Sequence, residues 1–152
     1  MLLADQDRAL WDHPAIAAAA DLVVRAARMR RPGPYQIQAA IVACHAEARG
    51  WQETDWPQIL LLYDALSEHL PTPVVGLHRA IALGQVAGPA AALAALDVHG
   101  GVLGSYHLYH ATRAQLLREL DRTAEARRAD EQALALTGNP AERALLEQRL
   151  AS

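Results

Sequence analysis

Tyr106-His107-Leu108-Tyr109-His110-Ala111-Thr112-Arg113-Ala114-Gln115-Leu116-Leu117-Arg118-Glu119-Leu120 leads into Asp121-Arg122-Thr123, then Ala124-Glu125-Ala126 and on through Leu136 to Thr137-Gly138-Asn139-Pro140. The stretch reads as a helix, a tight turn, a second helix and a stop: neither run is broken by Gly or Pro, and Gly138 with Pro140 closes the second. Two small residues, Ala114 and Ala126, fall where the helices would cross most closely. Both recur upstream at one interval, Ala80 standing 34 residues before Ala114 and Ala92 34 before Ala126. A constant stride of that length, with a small residue in each helix, predicts a solenoid of antiparallel helical hairpins and an all-α fold. Solenoids serve many partners, so this architecture does not by itself set a function.

Composition agrees. The 152 residues are 52% apolar, enough to build a core in one domain spanning 1–152, and too apolar for a disordered chain. Phe is absent, Trp and Tyr are few, and Ala dominates, which favours closely packed helices over sheet. All 14 basic residues are Arg. A net charge of −3 and a pI near 6.1 supply no basic stripe for nucleic acid. The one cysteine, Cys44, excludes an internal disulfide and fits a reducing cytoplasm, where we expect the protein. There is no apolar run of membrane-spanning length, so no membrane partner is expected. The abrupt apolar opening, Met1-Leu2-Leu3-Ala4, leads us to expect a C-terminal piece of a longer protein.

In chain order, Asp5-Gln6-Asp7-Arg8-Ala9-Leu10-Trp11 ends in a bulky anchor. Asp12 or His13 with Pro14 starts a helix from about Ala15 to Arg31, whose last turns carry Arg25, Arg28, Arg30 and Arg31. Pro32-Gly33-Pro34 stops it. Tyr35 to Ala48 is the next helix, with Ile37, Ala40, Ile41, Cys44 and Ala48 expected inward. The loop Arg49 to Thr54 takes up a six-residue excess over the repeat length. Asp55 caps a helix from Trp56 to Leu70, with Ile59, Leu62, Tyr63 and Leu66 on its core side. Val74 to Val86 and Ala90 to about Val98 form a second hairpin, closed by Gly100-Gly101 and Gly104 as a flexible turn. After the third hairpin, Asn139-Pro140-Ala141-Glu142 predicts a capping box, and Ala141 to Leu150 a helix that covers the open end.

Catalytic and metal chemistry find weak support. His107 and His110 share a helix face, but no third ligand accompanies them in a recognised spacing. His45-Ala46-Glu47 matches half of a deaminase zinc signature whose Pro-Cys-x-x-Cys half is missing. Cys44 and His45, adjacent on a helix, point about 100° apart and do not form a nucleophile pair. Gly100-Gly101-Val102-Leu103-Gly104 lacks the Lys of a phosphate loop. We therefore expect no cofactor, no metal and no enzyme activity.

With the small residues at Ala80, Ala92, Ala114, Ala126 and Ala133, the pattern resembles tetratricopeptide repeats. The resemblance implies a right-handed stack of antiparallel helical hairpins, with an N-terminal helical segment and a C-terminal capping helix. It departs at Asp121, where the consensus turn has Gly, and at Asp130, where an aromatic usually packs, so the second helix of the third hairpin is expected to be exposed there. In such a stack the first helix of each hairpin lines a concave groove. That register assigns Ile37, Gln38, Ile41, His45, Leu77, His78, Ile81, Gln85, Leu108, Thr112 and Gln115 to an apolar groove with a few neutral donors. Another polypeptide, or Leu10 and Trp11 of this one, would fill it.

A second resemblance is carried by Asp5-Gln6-Asp7-Arg8 with Trp11, and by Gly33-Pro34-Tyr35-Gln36-Ile37-Gln38-Ala39-Ala40-Ile41 with His45-Ala46-Glu47-Ala48. Thr54-Asp55-Trp56, Tyr63-Asp64-Ala65-Leu66, Pro73-Val74-Val75, Arg79-Ala80, Gly104-Ser105-Tyr106-His107 and Ala133-Leu134-Ala135-Leu136-Thr137-Gly138-Asn139 extend it over nearly the whole chain. In this ordered set the chain is similar to the tetratricopeptide-like C-terminal extension of a group of extracytoplasmic-function sigma factors. The resemblance implies a regulatory domain without catalysis, whose partners are the sigma domains of the same full-length protein and the RNA polymerase core. DNA would be met only through upstream domains that this sequence lacks. Asp5, Gln6, Asp7, Arg8 and Trp11 would then form the junction with those domains. The alternative is a free-standing tetratricopeptide adaptor gripping a peptide in its groove.

Overall fold

The computed structural model describes residues 33 to 152, together with Pro14 and Ala17, which are both helical and exposed. The junction motif (Asp5, Gln6, Asp7, Arg8 and Trp11), the arginine cluster and, apart from Ala17, the helix expected over Ala15 to Arg31 lie outside the described residues. Among the described residues every regular element is helical. The chain divides into two compact units, one ending at Val75 and the other running from Gly76 to Ser152.

In the first unit, α1 spans Pro34–Glu47 and α2 spans Trp56–His69, and the two pack as a hairpin. Proline occupies the first turn of each, where its missing N–H costs nothing. Asp55 caps α2 as expected, its Oδ1 accepting from the Gln58 N–H at 3.1 Å. Helix α1 buries Ile37, Ile41, Ala43 and Ala46, while Ala40, Cys44 and Ala48 are half-buried, so its inward face is turned from the expected stripe. Helix α2 buries Ile59 and Leu66, flanked by half-buried Leu62 and Tyr63. The connecting loop contains a single 3-10 turn, Trp51–Glu53. It brings the Trp51 ring to 4.7 Å from Trp56, and His45 of α1 meets Trp56 edge-on at 5.4 Å. An aromatic cluster thus ties α1, the loop and the start of α2 together.

The second unit begins inside the first turn of α3, Pro73–Ala87, and continues with α4, Pro89–Asp97. Gly88 turns the chain between them at φ 92°, where a side chain would be strained. A one-turn helix α5, Gly100–Leu103, replaces the flexible turn expected there, because the His99 carbonyl accepts from the Leu103 N–H at 2.9 Å. Then come α6, His107–Glu119, α7, Thr123–Leu136, and α8, Pro140–Ala151. Ala80, Ala92, Ala114 and Ala126 are all at most 1% exposed and share one core with Leu77, Leu96, Leu103, Leu116 and Leu117. Small side chains allow this approach. At Gly84 an added Cβ would lie 3.1 Å from the Ala92 Cβ, tighter than most such contacts, so α3 and α4 meet there almost backbone to backbone. Burying each of Leu77, Leu96 and Leu117 contributes about 1.5–3 kcal/mol.

The two departures from the repeat consensus have distinct outcomes. Asp121 has φ 58°, the left-handed conformation for which Gly is favoured. The Arg122 N–H donates to the Leu117 carbonyl and the Asp121 N–H to the Arg118 carbonyl, both at 2.9 Å, the paired bonds of a Schellman stop. Asp is among the few residues that tolerate this conformation. Asp130 corrects the expectation of an exposed face on α7: it is 0% exposed. Arg118 of α6 reaches it, donating from Nη2 to Oδ2, and an ion pair stands where an aromatic ring was expected. Asp130 Oδ1 and Arg118 Nη1 are buried without a hydrogen-bond partner. Burial, with Arg149 of α8 adding like charge, lowers the Arg118 guanidinium from its ordinary value.

Helix α8 is capped by Asn139, whose Oδ1 accepts from the N–H groups of Ala141 at 2.9 Å and Glu142 at 3.2 Å. The reciprocal half of the expected capping box is replaced by a relay. The Asn139 N–H donates to Thr137 Oγ1 at 3.2 Å, and Thr137 Oγ1 donates to Glu142 Oε2 at 2.7 Å. His107 Nε2, at the start of α6, lies 3.0 Å from the same carboxylate oxygen. Glu142 therefore joins the starts of α6 and α8, while Arg143 Nη1 donates to the Leu134 carbonyl at 3.1 Å.

Candidate interaction site

The residues assigned to a groove separate into three sets. Ile37, Ile41 and Leu77 are core residues, a correction to their assignment: each lies on the apolar stripe on which its own helix packs, so it offers no surface to a partner. His45, His78, Ile81, Leu108 and Thr112 are half-buried, Leu108 lying against the core of the second unit. Gln38, Gln85 and Gln115 are exposed, and Gln115 donates to Glu119 on its own helix at 3.1 Å. Burial lowers the His78 pKa, favouring the neutral ring.

The second unit contains a different concavity, an open cleft of about 370 Å³ lined by Asp97, Gly100, Tyr109, His110, Arg113 and Gln132. Asp97 closes α4, Gly100 opens α5, the next three stand on α6, and Gln132 comes from α7. Arg113 Nε donates to Asp97 Oδ1 at 2.9 Å, and the Tyr109 hydroxyl donates to the same oxygen at 3.5 Å. Gly100 makes room for that hydroxyl: a Cβ there would come within 2.7 Å of it. Burial, reinforced by the Asp97 charge and opposed by Arg113, raises the Tyr109 phenol, so it stays a neutral donor. His110 is buried; its Nε2 lies 2.7 Å from the Gly104 carbonyl, a contact that requires the proton on Nε2. Its Nδ1 is buried and has no hydrogen-bond partner.

Asp97 and Arg113 are 16 positions apart, and only the stacking of one hairpin on the next joins them. The repeat stride could have indicated the pair, since it aligns the end of one second helix with the start of the following first helix. His107 and His110 diverge, one to Glu142 and the other to Gly104. Among the described residues no group of three His, Cys, Asp or Glu side chains could hold a metal ion. Burial, then the charges of Asp55 and Glu47, push the Cys44 thiol above its ordinary range, away from nucleophilic use.

Compared with known protein families, the chain matches none. It is similar to an uncharacterised protein of Rhizobium meliloti (strain 1021), at 49% identity over 150 residues, covering 99% of this chain and 36% of that protein. The chain thus spans about a third of the length of the curated relative it matches. Among solved structures it is similar to the first tetratricopeptide domain of Spaghetti (RPAP3) bound to the HSP90 peptide SRMEEVD. That likeness has a TM-score of 0.54 at 22% identity, over 67% of this chain and 85% of the other. The fold is tetratricopeptide-like: all-α and built of antiparallel helical hairpins. Among the described residues no helix is long and apolar enough to cross a membrane.

Proposed function

We propose that the chain is a non-catalytic protein-interaction domain. The observation that carries this reading is the fold: helical hairpins packed on shared small residues, of the kind that in Spaghetti holds a peptide. The finer reading is that it regulates promoter-directed transcription by an extracytoplasmic-function sigma factor in the cytoplasm, through contacts with the sigma domains of the same protein or with RNA polymerase core. Its support is the ordered set of motifs from Asp5 to Asn139, and a relative long enough to hold further domains. The reading as a peptide adaptor keeps one specific support, the peptide bound to the tetratricopeptide neighbour.

A promoter reporter driven by the full-length protein tests the finer reading. Trp11→Ala and Arg8→Ala variants should lower its output at unchanged protein level. Wild-type output from stably expressed variants overturns it.

A further inference from the structure

We draw no further inference here: the strongest candidate, the outward face of α1 where Tyr35 (83% exposed), Ala39 and Val42 (65% exposed) form one apolar stripe, carries none because nothing in the structure shows what covers it.

Discussion

Replacing Arg118 by Met should be among the most damaging single changes in the second unit, although a third of its side chain is exposed. Its guanidinium donates to the Asp130 carboxylate, which has no exposure of its own. Met keeps the length of the stem and removes the charge. The Asp130 carboxylate would be left inside the α6–α7 interface with neither oxygen paired, since Oδ1 already lacks a partner. Stranding one member of a buried pair costs about 3–5 kcal/mol. Because Arg118 is 31% exposed, water already screens one end of the pair, so a cost below that range, about 2–3 kcal/mol, is expected. In a protein of this size that is roughly 4–12 °C in Tm. Urea unfolding followed by circular dichroism measures it. The double variant Arg118→Met with Asp130→Leu supplies the decisive comparison, because an apolar pair needs no partner and should recover most of the loss. The reasoning is refuted if Arg118→Met lies within about 0.5 kcal/mol of wild type, or if the double variant is no more stable than the single.

Three further outcomes follow from individual contacts. Asp121→Gly should stabilise by about 0.5–1 kcal/mol, because φ 58° suits Gly better, partly offset by the greater freedom of Gly when unfolded; the urea midpoint reads it. Glu142→Gln weakens the contacts to Thr137 and His107 and should cost about 0.5–1.5 kcal/mol, seen first as faster amide exchange in α8. Burial holds the His78 pKa below the ordinary imidazole value of about 6.5, so the unfolded chain takes up that proton first as pH falls. This contribution to stability is present above about pH 6.5 and is lost below it, and His78→Gln should flatten the fall of Tm between pH 7.5 and pH 5.5.

What the sequence discloses follows from how local each signal is. Caps such as Asp55 and Asn139 act within three residues, and both are read directly. The stride of Ala80, Ala92, Ala114 and Ala126 is a periodic signal, and it places four of the most buried residues. Asp130 was misread because residue type alone assigns a carboxylate to the surface, whereas its partner Arg118 stands 12 positions away on another helix. The groove positions Ile37, Ile41 and Leu77 failed for another reason. An apolar stripe marks the face that packs, and the repeat register does not say whether that packing partner is the same chain or a ligand. The cleft at Asp97 and Arg113 was invisible as a motif because residues from four helices compose it.

The stability of Ala114→Leu beside Ala94→Leu tests the repeated close crossing most directly. Ala114 has no exposure and Ala94, within α4, is exposed. If the hairpins touch through small residues at a fixed stride, the three added carbons at 114 force the helices apart and cost about 1–3 kcal/mol or more, while the same change at 94 stays within about 0.5 kcal/mol. Equal, small effects at the two positions would mean that the helices do not meet at Ala114, and the hairpin architecture would fall with it.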